Sequence, residues 1–235
     1  MNLILLSPED FIAQDSVRLT GRRLAHVQEV HRASEGDRLC VGLLGGAMGS
    51  GHLTRLDSEC LEMDVVLDQP PPPKLPLTLV LALPRPKVLN RVLASATSLG
   101  VARIYLVNAW KVEKGYWKSP RMAEENLRLQ RVLGLEQAKD TVLPELHLRR
   151  LFRPFAEEEL PEITRGSLPL VGHPGAPRPC PRAAQVPVTL AVGPEGGWID
   201  SELASLQAAG FQAVDLGARI LRTETAVAAL VGRLF

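Results

Sequence analysis

The stretch Leu190-Ala191-Val192-Gly193-Pro194-Glu195-Gly196-Gly197-Trp198 decides how this chain is read. Apolar residues of strand character run directly into a glycine- and proline-rich loop, which leads into a helix. α/β proteins place ligands at that junction, outside the carboxyl end of a strand. Glycine, above all Gly196, lets backbone come within contact distance of a ligand, and Pro194 stiffens the turn, so the loop offers fixed amide and carbonyl groups to a polar small molecule. Further along, Leu216-Gly217-Ala218-Arg219-Ile220-Leu221-Arg222 runs into Thr223-Glu224-Thr225-Ala226 in the same manner. Either loop alone is compatible with an ordinary strand-to-helix turn. Two of them close together predict one pocket.

Working back from these loops, the pattern is strand, helix, strand. Leu168 to Gly172 and Val188 to Val192 read as strands, and Leu77 to Leu83 is a nearly continuous apolar run suited to a sheet covered on both faces. Val88, Leu89, Val92, Leu93, Ala96 and Leu99 recur at helical spacing until Gly100 ends the helix, and Ile104 to Val107 returns as a strand. Ser119-Pro120 predicts the start of a longer helix, with a capping residue and a proline in the first turn. Thr223 is expected to cap the last helix, whose apolar face of Val227, Leu230, Val231 and Leu234 suits a core or a dimer seam. The fold class is α/β.

Pro70-Pro71-Pro72-Pro73 continues neither a ladder nor a helix and predicts a stiff boundary between residues 1–70 and residues 75–235. Before it, Ser16 to Thr20 reads as a strand and Arg22 to His31 as a short helix. Arg38 to Leu44 and His52 to Leu56 read as strands flanking a Gly45 to Gly51 turn, and Leu61, Met63, Val65 and Leu67 alternate with Glu62 and Asp64. That predicts a small, mostly β domain.

Composition bounds the function. No run of eighteen apolar residues appears, and Met1 to Asp10 carries acids where a secretion signal would carry basic residues. The expectation is a soluble, cytoplasmic protein. Cys40, Cys60 and Cys180 are far apart, with no partner at metal spacing, which argues for reduced thiols and against a disulfide framework or zinc site. A formal net charge of +1 argues against a nonspecific nucleic-acid coat, leaving RNA contact to local patches.

The two loops together resemble the RsmE family, 16S ribosomal RNA uridine-N3 methyltransferases of the SPOUT superfamily. One family hallmark reads Gly-Pro-Glu-Gly-Gly-aromatic with a glutamate four residues on, matched by Gly193 to Trp198 and Glu202; phenylalanine is the commoner aromatic. Another reads Leu-Gly-x-Arg-Ile-Leu-Arg-x-Glu-Thr-Ala, matched at every fixed position from Leu216 to Ala226. The resemblance implies a trefoil knot holding S-adenosylmethionine, against the general rule that chains do not thread loops. It implies donor contacts from Val171 and Gly172, from Val192, Gly193, Glu195, Gly196 and Gly197, and from Leu216, Gly217, Ile220, Leu221, Thr225 and Ala226. Residues 1–70 resemble that family's PUA-like β-barrel domain, whose His-x-x-x-Val-Leu-Arg-x-x-x-Gly-Asp pattern is met by His26, Val30, Arg32, Gly36 and Asp37, with His31 in place of leucine. Gly36-Asp37 also reads simply as a turn. A homodimer, with the last helix near the seam and an active site drawing on both chains, is implied as well.

Chemistry at uracil N3 requires the base to be unpaired and to lose a proton. Arg222 is the candidate catalytic residue, set against a uracil carbonyl oxygen to favour the anion; its alternative role is pairing with Glu224 to hold the loop. Glu195 and Glu224 are both candidates for the base or for gripping the methionine ammonium, and neither is assigned. For RNA, the candidates are Arg22, Arg23, His26 and Arg32, together with Trp110, Lys111 and Lys114 in a segment mixing lysines and aromatics that suits unpaired RNA. The same segment also reads as a solvated loop with inward tryptophans. Arg149, Arg150 and Arg153 read as a basic cluster facing water or RNA. The partner implied is 16S ribosomal RNA or the 30S subunit.

Mid-chain the resemblance weakens. Ser95 and Ser98 stand where the family has lysine and glutamate, Ala109, Trp110 and Lys111 where it has Glu-Arg-Ser, and Ala138 and Asp140 at a serine and an arginine position. Those departures keep open a second reading, a donor-binding but inactive ribosomal RNA assembly factor. A nucleotide-phosphate enzyme fits poorly, because neither Gly-x-x-x-x-Gly-Lys-Ser/Thr nor Gly-x-Gly-x-x-Gly is present.

Overall fold

Alternating apolar and polar residues build the first of two units. The computed structural model describes residues 2–235, except for the side chain of His31, so the departure at that position lies outside the described residues. Strands β1 (Ile4–Leu6), β2 (Phe11–Ala13) and β3 (Ser16–Leu19) precede helix α1 (Gly21–His26) and a π-helical turn, Val27–His31. Strands β4 (Arg38–Leu43), β5 (Met48–Leu56) and β6 (Leu61–Gln69) complete a curled sheet in the order β1-β4-β5-β6-β3-β2. β1 runs parallel to β4 and the other pairs are antiparallel. Val17, Leu19, Leu39, Val41, Leu53, Leu61 and Met63 fill the core beneath it.

The turn expected over Gly45 to Gly51 is shorter, because β5 already begins at Met48. Gly49 is a strand residue under close approach: a Cβ there would lie 1.8 Å from the Val66 carbonyl oxygen, at a register shift in the β5–β6 ladder.

Two arginines of the amino-terminal segment are held by carboxylates. Arg22 makes a two-pronged pair with Glu136 at 2.8 and 2.9 Å. Arg23 holds both Asp10 oxygens at 2.5 and 2.6 Å and the Leu5 carbonyl at 3.0 Å. Both were expected to meet RNA, and the structure instead gives each guanidinium a fixed carboxylate partner. Burial pushes the Asp10 carboxyl up, but Arg23 and the amide and hydroxyl of Ser7 outweigh it and hold it below its ordinary value. A depressed folded-state value stabilises the fold above the unfolded value, about 4, and the stabilisation is lost as pH falls through the folded one. Urea unfolding between about pH 6 and pH 3 is expected to show a steeper loss of stability in the parent than in Asp10→Asn; equal slopes would refute the coupling.

The first unit comprises Met1–Pro73 together with Val132–Leu143, and the second comprises Lys74–Arg131 and Pro144–Phe235. The proline run is one boundary; the return of residues 132–143 to the first unit is not visible in composition. There the Leu3 amide donates to the Glu136 carbonyl at 2.9 Å, and Leu135 packs with Leu3 and Leu5.

In the second unit β7 (Leu75–Ala82), α2 (Pro86–Ser98) and β8 (Val101–Val107) follow the expected alternation. Helix α3 (Glu124–Ala138) starts later than Ser119-Pro120 predicts. Pro120–Met122 forms only a 3-10 turn, with Ser119 Oγ accepting the Arg121 amide at 3.3 Å, and Ala123 is extended and interrupts it. Then come β9 (Glu145–Arg149), a broken helical run of α4 (Phe152–Pro154), a π turn and α5 (Leu160–Ile163), β10 (Leu168–Gly172) and β11 (Val188–Val192). Helix α6 (Asp200–Ala208), β12 (Gln212–Val214) and α7 (Thr223–Leu234) complete the chain. The sheet is parallel, in the order β12-β10-β11-β7-β8-β9, and every residue of β11 is buried. The strand expected at Leu216 in fact ends at Val214, so Leu216 to Arg222 is loop.

Thr223 is the first residue of α7, not its cap; Arg222 holds that position in extended conformation. The face formed by Val227, Leu230, Val231 and Leu234 is buried in this unit's own core, which removes it from any seam between copies. Cys40, Cys60 and Cys180 are free thiols. Among the described residues no helix is long and apolar enough to cross a membrane.

Candidate active site

The carboxyl ends of β10 and β11 and the loop entering α7 enclose one cleft in the second unit. About 830 Å³ of open space is walled by Gly172, His173 and Pro174 after β10, by Val192 to Glu195, Gly197 and Trp198 after β11, and by Ile220 to Thr223 and Ala226. A more apolar recess of about 400 Å³ shares several of these walls and adds Val214, Asp215, Leu216, Arg219 and Leu230. The two glycine loops thus face one space, at the end of a parallel sheet where α/β folds bind ligands.

Hydrogen bonds fix the walls. Glu195 Oε1 accepts the Arg85 amide at 3.0 Å, joining the β11 loop to the start of α2. Glu202, on the first turn of α6, accepts the Ile199 amide at 3.1 Å with one oxygen and the Trp110 amide at 2.7 Å with the other. Asp215 accepts the amides of Gly175 and Gly217, both at 3.2 Å, and its carbonyl accepts the Cys180 amide at 2.8 Å. The proline-rich segment after β10 is therefore tied to the loop before α7.

Of the residues expected at the donor, Gly172, Val192, Gly193, Glu195, Gly197, Leu216, Ile220, Leu221 and Ala226 line the cleft or its recess. Val171, Gly196, Gly217 and Thr225 stand off these walls. The Val171 side chain is wholly buried in the sheet core, and Gly217 and Thr225 face outward. Gly196 differs most from its expected role: a Cβ there would lie 2.8 Å from Lys111 Cδ, and Lys111 Nζ donates to the Gly196 carbonyl at 2.7 Å. Its missing side chain makes room for a lysine stem. Lys111, expected at RNA, is for its part a staple on the glycine loop.

Arg222 lines the cleft and is exposed; its carbonyl accepts the Ala226 amide at 2.8 Å, and its guanidinium has no hydrogen bond or ion pair among the described residues. It does not pair with Glu224, which faces Arg91 at 3.9 Å. Trp110 stands out in solvent, while Trp117 of the same segment turns inward and donates its Nε1 to Asn108 at 2.9 Å. Lys114 is exposed, as is Arg32, whose φ of 50° is left-handed; His26 is half-buried. Arg149 pairs with Glu159, Arg153 with Glu157, and Arg150 lies over the Trp117 ring at 5.6 Å.

His173 was missed by the sequence reading, although it follows β10 as Gly193 follows β11, and the same strand-end rule applies. Its Nδ1 is buried without a hydrogen-bond partner, and so is Nε1 of Trp198. Both residues line the cleft. An unpaired buried polar atom costs about 1–3 kcal/mol, so these nitrogens fit a site completed by a polar ligand. Among the described residues no His, Cys, Asp and Glu cluster that would hold a metal ion occurs.

A family model described as RNA methyltransferase domain matches residues 71–234. The chain is 32% identical over 235 residues to ribosomal RNA small subunit methyltransferase E of Treponema pallidum, covering 97% of this chain and 88% of that one. It is 30% identical to the enzyme of that name from Synechocystis, over 95% of this chain and 73% of that one. Among solved structures it resembles a ribosomal RNA small subunit methyltransferase E from Neisseria gonorrhoeae bound to S-adenosyl methionine, at a TM-score of 0.74 and 25% identity, covering 99% and 96% of the two chains. A parallel α/β sheet whose glycine loops enclose a cleft, joined to identity along nearly the whole chain, leads to one assignment: the chain belongs to the ribosomal RNA small subunit methyltransferase E (RsmE) family and is an RNA methyltransferase.

Proposed function

We propose that this protein transfers a methyl group from S-adenosylmethionine to N3 of an unpaired uridine in 16S ribosomal RNA, on the 30S subunit and in the cytoplasm. The observation that carries the reading is the cleft itself, in which both glycine loops meet and an unpartnered arginine stands on the wall. Gly172, Val192, Gly193, Glu195 and Gly197 would hold the donor with Leu216, Ile220, Leu221 and Ala226, joined by His173 and Trp198. The apolar recess suits an apolar portion of the donor, and the unpaired ring nitrogens suit its polar groups. When bound, the donor supplies an electrophilic methyl carbon on a sulfonium.

The rest of the chemistry falls to the chain. N3 of uracil lies between two carbonyls, so its lost proton leaves negative charge on the oxygens, and Arg222, a lining residue of the cleft, would stabilise that charge. Glu195 and Glu224 are engaged structurally, one on the Arg85 amide and the other toward Arg91. RNA contact belongs to Trp110 and Lys114 in the second unit and to His26 and Arg32 in the first.

Residues 1–70 are proposed as a PUA-like RNA-binding domain and residues 75–235 as a SPOUT domain with a trefoil knot, supported by the curled sheet of the one and the parallel strand order of the other. A homodimer is proposed too; the outward face of α7, with Ala228 and Gly232, and the exposed Phe235 just past its end are what this helix has left for a partner copy.

Calorimetry with S-adenosylmethionine is expected to show binding, and mass spectrometry of 16S ribosomal RNA from cells with and without the protein is expected to show one N3-methyluridine that depends on it. Binding without methylation of subunits from cells lacking the protein would select the assembly-factor reading. Absence of both would refute the donor site.

A further inference from the structure

One large ring on the rim of this site is held out in water. Trp110 is 79% exposed, although the backbone carrying it is fixed from several directions. Its amide donates at 2.7 Å to Glu202, a carboxylate only 6% exposed. Lys111 is stapled to Gly196 at 2.7 Å, and Ala109 and Val112 on either side are buried, with the Val112 amide on the Ala109 carbonyl at 3.0 Å. The segment is able to turn an indole partly inward against the core, as Trp117 shows. Trp110 is therefore exposed because its backbone is pinned in an orientation that presents it. Gly196 lies between two cleft-lining residues, Glu195 and Gly197, so the pinned segment is anchored to the cleft wall.

We propose that the Trp110 indole is the stacking surface for an unpaired base of the RNA acceptor, holding that base beside the glycine loop. The proposal rests on the RNA methyltransferase reading of the cleft and adds a residue where the family pattern has arginine. Every base has a flat face able to stack on an aromatic ring, whereas phosphate contacts by exposed lysines such as Lys114 carry no orientation of the base. With Lys111 spent on Gly196, the segment divides its labour: one side chain meets RNA and its neighbour fixes where that meeting occurs.

The test uses the full chain with small ribosomal subunits from cells lacking it, and a short oligouridylate as an equilibrium probe. Trp110→Ala is expected to lower kcat/KM for subunits by roughly tenfold or more, chiefly through KM, with Trp110→Phe retaining most activity and Trp110→Leu resembling the alanine variant. Oligouridylate is expected to quench parent fluorescence more than that of Trp110→Phe, and S-adenosylmethionine affinity by calorimetry is expected to be equal in all variants. An unchanged KM in Trp110→Ala would overturn the proposal. So would leucine serving as well as phenylalanine, or a change in donor affinity or molecular mass, which would make Trp110 a structural or self-association residue. If the parent binds no donor and methylates nothing, the methyltransferase reading fails; the fluorescence arm still decides whether Trp110 meets RNA.

Discussion

Arg222→Ala is expected to lower turnover on small ribosomal subunits by roughly a hundred- to a thousandfold while S-adenosylmethionine still binds. The size follows from removing a fixed positive group from the place where charge develops in the transition state. The structure isolates this effect. Arg222 precedes the first turn of α7 and is exposed, and its guanidinium has no hydrogen bond or ion pair among the described residues, so its truncation breaks none. Stability is expected to change by no more than about 0.5 kcal/mol, as for ordinary surface positions. Arg222→Lys keeps the charge but loses the planar fork that meets a carbonyl edge, and is expected to fall between the two. Single-turnover kinetics with saturating donor and subunits measures the chemical step directly. Parent-like turnover in Arg222→Ala would remove the residue from the chemistry.

Glu202→Ala is expected to cost about 3 kcal/mol of stability, because it strands two amide donors that now share one carboxylate. The amides belong to Ile199, which starts α6, and to Trp110, far away in sequence, so the same change frees the loop that presents the indole. Glu202→Gln keeps one acceptor oxygen and is expected to recover part of the loss. Urea unfolding reads the effect as a lower midpoint at nearly constant slope. The folded variant is expected to need more RNA for half-maximal rate, in the same direction as Trp110→Ala. A midpoint equal to the parent's would show that the carboxylate does not hold this corner.

The lysine staple and the glutamate bridge also show where sequence reading stops. Glu202 is visible in the sequence as part of a family pattern, yet nothing near it says that it holds Trp110. Gly196 is equally visible, and its local reading as a ligand-approach glycine differs from what the tertiary contact with Lys111 makes of it. Arg22 and Arg23 read as free cations because their partners, Glu136 and Asp10, are chosen only when the chain folds.

What the sequence determined by itself is what depends on near neighbours along the chain. Apolar runs and alternation placed Leu168–Gly172 and Val188–Val192 to the residue, and helical spacing gave the buried faces of α2 and α7. Glycine, proline and strand-end position located the loops of the cleft. Strands of only three residues, such as β1, β2 and β12, carry too little alternation to be read, and the apolar residues from Leu216 predict a strand where the structure has loop. The tertiary structure alone decided which strands lie side by side, which carboxylates neutralise which arginines, and which tryptophan stays in water. Those outcomes depend on groups brought together across long stretches of chain, where backbone geometry and burial, rather than local preference, select the partner.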